Sequence, residues 1–187
     1  MTIKKLYKES WKFIKTSRVY LWIILGLFAA SIAFGFLFPV FFTDFITKFI
    51  EETLAKTQGL GFWQLFLFIL ENNILTSAFG MLFGLFFGLI PLVLVFFNGY
   101  VLGFVASKSV AASGASVLLR LVPHGIFEIP ALILSLGLGL RLGLFLFTRK
   151  KKFLDESAKI LKTFLLVVLP LLIIAALIET CLIIFAG

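Results

Sequence analysis

Long uncharged stretches alternate with short charged stretches along the chain. The uncharged run from Val19 to Thr43 can cross a hydrocarbon core of about 30 Å as one helix. The run from Asn72 to Ser107 would form a helix of about 54 Å, so it must contain more than one crossing or a strongly bent one. The pattern predicts an all-α, polytopic membrane helix bundle with interrupted helices and amphipathic surface helices.

Two charged segments carry apolar residues at helical spacing. Residues 1–18 are basic, and their apolar positions predict an amphipathic helix lying on the membrane surface. Those positions are Ile3, Tyr7, Trp11 and Ile14. Residues 43–62 have a net negative charge and place Phe45 and Phe49 on one helical side, which predicts a second amphipathic surface helix.

The charge of the connecting segments orients the crossings. Residues 148–162 are strongly basic and residues 43–62 are acidic, so the positive-inside rule places the former in the cytoplasm and the latter outside. An odd number of crossings must separate them, and three fit the length. We therefore expect one domain over 1–187 with a cytoplasmic amino terminus in the cytoplasmic membrane. The predicted spans are 19–42, 63–90, 92–113, 116–147 and 160–186.

Several residues predict weak points or close contacts in these spans. Pro91 marks a junction without a polar loop, and Asn98-Gly99 favours a turn or a kink. Gly80, Gly84 and Gly88 recur at four-residue spacing, which predicts a face that packs closely on another helix. That helix can belong to the same chain or to a second copy.

Composition agrees with a lipid-embedded protein and excludes several other classes. Hydrophobic residues make up 61% of the chain and charged residues 14%. The net charge of +8 lies beside the ends of apolar runs, which indicates a bilayer rather than nucleic acid as partner. The single cysteine, Cys181, excludes an internal disulfide, and a lone histidine argues against a structural metal, so we expect no cofactor.

Seven polar residues interrupt the apolar runs and form the candidate site. By counting along the spans, most of them fall in the outer half of the bilayer, where they can share a ligand-binding polar cavity. The alternative is a set of buried ion pairs that only fix helix register. The residues are Glu71, Asn73, Asn98, Arg120, His124, Glu128 and Glu179.

The only histidine, His124, allows two interpretations. His124 and Glu128 are four residues apart, so one helix face could present both to a metal or use them for proton transfer. Pro123 and Gly125 bracket the histidine, however, and favour a helix that begins there with its positive end inside the membrane. We prefer this interrupted helix to metal ligation.

Motifs of soluble enzymes are absent from the sequence, which contains no Gly-x-Ser-x-Gly, Walker loop or His-Glu-x-x-His. Without a nucleophile and base pair, we expect that the protein is not an enzyme. An intramembrane hydrolase would require a bound metal.

The block from Pro123 to Ala131 reads Pro-His-Gly-Ile-Phe-Glu-Ile-Pro-Ala and resembles the signature of the stage II sporulation protein M family. Supporting matches lie between about residues 65 and 186. They include Asn73, Gly80, Gly84, Asn98, Gly99, Gly103, Gly137, Gly139 and Glu179.

The resemblance implies a multi-span protein of the cytoplasmic membrane without established catalytic activity. The sporulation member works with two peptidoglycan-degrading partners as their membrane anchor and scaffold, whereas other members occur in organisms that make no spores. The family's shared polar residues correspond here to Asn73, Asn98, His124, Glu128 and Glu179.

Two functions follow from these observations. The first is a membrane scaffold or anchor that organises membrane or cell-envelope partners, with a homo-oligomer as one form of assembly. The alternative is a small transporter or channel with a polar intramembrane cavity around His124 and Glu128.

Overall fold

The computed structural model describes residues 2–120, 122–148 and 152–186, with side chains except at 119, 120, 122–124, 147, 148 and 186. No strand occurs in these ranges, and the predicted all-α class is confirmed. The helices are α1 (Ile3–Thr16), α2 (Arg18–Leu37), α3 (Thr43–Thr57), α4 (Phe62–Leu82), α5 (Leu89–Ser113), α6 (Val122–Thr148), α7 (Phe153–Thr163) and α8 (Leu169–Ala186). Two 3-10 segments, Phe83–Leu85 and Ala115–Arg120, and a π segment, Phe164–Val168, adjoin them.

Five helical stretches among these residues are long and apolar enough to cross a membrane, as predicted. They are Arg18–Leu37, Phe62–Leu85, Leu89–Ser113, Gly125–Leu146 and Phe153–Phe185. The last stretch joins α7, the π segment and α8, and its first part is amphipathic. The chain is therefore a multi-span membrane protein in contact with lipid, and α1 and α3 lie outside the spans.

The second and third spans are separated by a short turn that lies before Pro91. Phe87 and Gly88 both have left-handed backbone conformations, with φ of 57° and 72°. α5 begins directly after them, at Leu89, and Pro91 falls in its first turn, where a missing N–H has no cost. The break lies a few residues from the expected position because the left-handed pair, and not the proline, reverses the chain.

α5 runs through Asn98-Gly99 as a continuous helix, so of the two predicted alternatives, a turn or a kink, the turn is wrong. Asn98 Nδ2 donates to the carbonyl of Leu94 at 2.8 Å within the helix. The glycines serve a close helix contact: a Cβ at Gly99 would lie 2.8 Å from the Phe28 carbonyl of α2. Local turn preference yields here to packing between α2 and α5.

α6 lies at the centre of the bundle and contacts α2, α4, α5, α7 and α8. Its glycines meet those at the end of the second span. A Cβ at Gly84 would lie 2.8 Å from the Cα of Gly139, and one at Gly143 would lie 3.0 Å from the Cα of Gly88. A Cβ at Gly80 would meet the side chain of Leu136. The glycine series thus packs on α6 of the same chain.

The basic end of the bundle consists of α1, α7 and the last two turns of α6. Arg141 of α6 holds these elements together. Its Nε donates to Glu156 of α7 at 2.6 Å, and its Nη1 donates to the hydroxyls of Thr16 and Ser17 at 3.0 and 2.7 Å. The guanidinium also stacks over Phe13 at 4.2 Å. Because both charged side chains are largely buried, loss of one partner would leave a costly unpaired charge.

A second ion pair joins α1 to α7 at this end. Lys162 donates to Glu9, and this hydrogen bond lowers the pKa of the Glu9 carboxyl below its ordinary value. The Glu9 carboxyl is therefore ionised at neutral pH.

α3 is attached at the opposite end through a buried tyrosine. Tyr100 of α5 accepts a hydrogen bond from the Phe41 amide at 3.0 Å, and the carbonyls of Phe38 and Phe41 lie 2.9 and 3.0 Å from its hydroxyl. Ile46 of α3 is fully buried against Tyr100 and Phe104. These contacts fix the α2–α3 connection on the bundle.

Replacing Gly84 with leucine should destabilise the protein by about 2 kcal/mol or more, because the side chain must displace the backbone of α6. Gly26→Leu is the matched control, since a Cβ at that position meets nothing within 4 Å. Thermal unfolding of the purified proteins measures both effects. Equal melting temperatures for the two variants would contradict the proposed packing.

Glu156→Gln should cost about 3 kcal/mol, because Arg141 would stay buried without its counter-ion. Asp155→Asn removes the same charge from an exposed position one residue away and should change stability little. The comparison uses the melting temperatures of both variants in the same detergent. A Glu156→Gln protein as stable as the control would show that Arg141 does not need this partner.

Candidate functional site

A small polar cavity lies between α4, α5, α6 and α8. Its volume is about 60 Å³. Polar side chains from three helices line it, and two leucines close it. The lining residues are Asn72, Asn73, Thr76, Ser77, Asn98, Glu128, Leu132 and Leu172. Carboxamides, hydroxyls and a carboxylate thus meet inside an apolar bundle.

The spacing on α4 explains how one helix supplies most of the polar groups. Asn73, Thr76 and Ser77 are three and four residues apart, so they share one helical face. That face points into the bundle, where Ser77 is buried. Asn98 enters from α5 and Glu128 from α6, one turn after the start of the Pro-His-Gly block.

Asn73 contributes an unsatisfied donor to the cavity. Its Nδ2 is buried and has no hydrogen-bond partner among the residues that the structure describes. An unpaired buried donor costs about 1–3 kcal/mol, so this nitrogen favours a small polar ligand. A water molecule needs only about 10–15 Å³ of such space and two or more polar partners, and the cavity offers both.

The cavity lies near the middle of the spans. Asn73 is nine residues before the end of α4, and Asn98 is nine residues after the start of α5, which corresponds to about 14 Å along each helix. Both helix ends belong to the same turn, so the two asparagines are at equal depth. The site is therefore close to the centre of a hydrocarbon core of about 30 Å.

The structure brings three of the seven predicted polar residues together: Asn73, Asn98 and Glu128. Glu71 is exposed on α4, since a two-residue offset from Asn73 turns it to a different face. Glu179 is half-buried on α8, seven residues beyond Leu172, so its Cα lies about 10 Å further along the helix. Neither glutamate lines the cavity.

The side chains of Arg120 and His124 lie outside the described residues. Their backbone belongs to the 3-10 segment that ends at Arg120 and to the first turn of α6, which begins at Val122. α6 thus begins two residues before His124, close to the helix start that the proline and the glycine around the histidine predicted. Pro130 lies inside α6, which continues through it.

Sequence reasoning missed Thr76, Ser77 and Arg141. The two hydroxyl residues follow Asn73 at helical spacing, which is a usable signal. Arg141 is the single charged residue within the apolar run from Ile129 to Thr148, and its charge could have marked it. It belongs to the basic end of the bundle and not to the cavity.

The cavity can hold water or one small ion. It is too small for an organic ligand, because pockets for organic ligands typically occupy about 300–1,000 Å³. Its donors and acceptors can hydrogen-bond such a guest from three helices. Among the described residues, no group of three or more His, Cys, Asp or Glu side chains is placed to hold a metal ion.

Comparison with known proteins identifies a family but no individual relative. The profile of the family described as stage II sporulation protein M matches residues 22–182, a range that extends from within α2 to within α8 and contains the Pro-His-Gly block. No curated protein and no solved structure matches the chain. Because the match extends over most of the sequence, the chain belongs to the stage II sporulation protein M family of multi-span membrane proteins.

Proposed function

We propose that the protein is a non-enzymatic membrane scaffold or anchor for membrane or cell-envelope partners. The observation that carries this proposal is that α1 and α3, the two helices outside the spans, are both fixed to the bundle. Tyr100 and Ile46 hold α3 at one end, and Arg141 holds α1 at the other. A helix fixed in this way loses little further entropy when it binds a partner.

α3 offers the more suitable docking surface. Its acidic side chains Asp44, Glu51 and Glu52 are exposed, and Phe45 and Phe49 are 60% and 50% exposed. Acidic and aromatic groups on one short helix can provide both specificity and contact area. The positive-inside rule puts the basic end in the cytoplasm, so α3 would face the cell envelope.

The interior also favours a scaffold over a solute carrier. The central cavity is too small for an organic solute, and glycines bring α6 against the backbone of the second span. Such packing supports a rigid body rather than one with a wide central path.

The double variant Glu51→Lys/Glu52→Lys should remove the complexes that chemical cross-linking captures around the protein in intact cells. Two reversed charges in a polar interface should lower complex yield about tenfold or more. Glu128→Gln serves as the control, because a change inside the bundle leaves α3 untouched. The readout is the amount of cross-linked species relative to total protein.

Two results would contradict the scaffold. One is the absence of any cross-linked species that contains another protein or a second copy of this chain. The other is equal loss of complexes in the α3 and Glu128 variants. Species that contain only this chain would identify a homo-oligomer as the assembly.

A second function, conduction of water or a small cation, is favoured by the polar cavity alone. Asn73, Asn98 and Glu128 could bind such a species at mid-membrane. Ionisable residues at this depth commonly line ion pathways.

Under this second function, proteoliposomes should leak protons faster than empty vesicles, and Glu128→Gln should reduce the leak about tenfold or more, since it removes the charge. A pH-sensitive dye under a potassium diffusion potential measures the rate. Asp155→Asn, which lies outside the cavity, is the control. Wild-type vesicles no leakier than empty ones would eliminate proton conduction.

A further inference from the structure

A cleft of about 450 Å³ opens at the basic end of the bundle, between α1, the end of α6 and α7. We call it the basic cleft. It is far larger than the central cavity and lies about two turns from the end of α6. The charged residues that line it are Glu9, Lys12, Arg141, Lys159 and Lys162, and Ser10 lines it as well.

The basic cleft has an excess of positive charge. Four cationic side chains line it, and the only carboxylate in its lining is Glu9, which is paired with Lys162. Beside the lining, Glu156 pairs with Arg141 and lies 4.0 Å from Lys159 Nζ, which leaves four cations against two carboxylates. Lys12 and Lys159 are exposed at the rim. Arg141 forms part of the floor, where Glu156 and two hydroxyls hold its guanidinium in place. An anion entering this cleft would meet flexible ammonium groups above a fixed guanidinium.

Ser10 contributes a hydroxyl without a hydrogen-bond partner to the lining of the cleft. The residue is only 2% exposed, and its Oγ has no hydrogen-bond partner among the described residues. The other hydroxyls that line the cleft are engaged: Thr16 donates to the Phe13 carbonyl at 2.7 Å and Thr163 donates to the Lys159 carbonyl at 2.8 Å. Ser10 is therefore available to donate to an acceptor in the cleft.

The location of the cleft favours a ligand from the membrane surface. α1 carries Tyr7 and Trp11 on its exposed side, where they are 47% and 57% exposed. Tyrosine and tryptophan concentrate at the level of lipid headgroups. Basic pockets at the ends of membrane helices bind anionic headgroups through their phosphates.

We propose that the basic cleft binds a phosphate-bearing anion, and that its source is the headgroup of an anionic lipid. The lysines at the rim attract the phosphate, the Ser10 hydroxyl donates to one of its oxygens, and Arg141, which is paired with Glu156, forms the floor beneath it. Binding would join α1, α6 and α7 further, since the ligand contacts all three elements.

The test measures the dissociation constant of short-chain phosphatidylglycerol for the purified protein in neutral detergent. Lys12→Gln/Lys159→Gln should weaken binding at least about tenfold, because two charge-assisted hydrogen bonds are lost. Lys8→Gln/Lys15→Gln is the matched control: it removes the same charge from α1 outside the cleft. Ser10→Ala keeps the charge unchanged and should weaken binding a few-fold.

A soluble arm of the same experiment identifies the source of the phosphate. Glycerol 3-phosphate and inorganic phosphate are titrated against the same variants. Selective binding of the lipid supports the proposal as stated. Equally tight, cleft-dependent binding of glycerol 3-phosphate supports the phosphate site but overturns the lipid source. Equal weakening in both lysine double variants would overturn the site, because only diffuse charge attraction would then remain.

Discussion

The close contact between α6 and the end of the second span is the constraint on which the bundle depends. Gly84 and Gly139 meet backbone to backbone, so no side chain separates the two helices. Without a hydrophobic driving force inside lipid, close approach and dispersion must hold helices together. α6 can therefore contact α2, α4, α5, α7 and α8 at once. It also places Glu128 in the cavity and Arg141 at the basic end.

The two polar regions have different physical roles. The central cavity around Asn73 is small and holds groups that need a water-sized partner. The basic cleft is larger and open, and four cationic side chains line it. A rigid body with fixed helices at both ends suits a platform for other proteins, whereas only the small cavity suits transport.

Much of the fold could be predicted from the sequence because hydrophobic length and flanking charge act locally. The spans, the amphipathic helices and the start of a helix near His124 follow from such signals. The sequence did not predict which residues meet across helices: the glycine spacing indicated a close contact at Gly84 but not that the contact is with Gly139. At Asn98-Gly99 the local turn preference was misleading, because α2 packing keeps α5 helical. The site was only partly predicted, since depth along a helix does not specify which face points inward, and Glu71 and Glu179 lie elsewhere.

Rigid attachment of the two outer helices is the central claim, and one distance measurement tests it most directly. Spin labels at exposed Lys8 of α1 and Glu51 of α3, in a Cys181→Ser background, report the separation of the helices across the bundle in lipid nanodiscs. Double electron–electron resonance should give one narrow distance peak. A broad distribution would show that α1 or α3 moves freely against the bundle and would contradict the scaffold account.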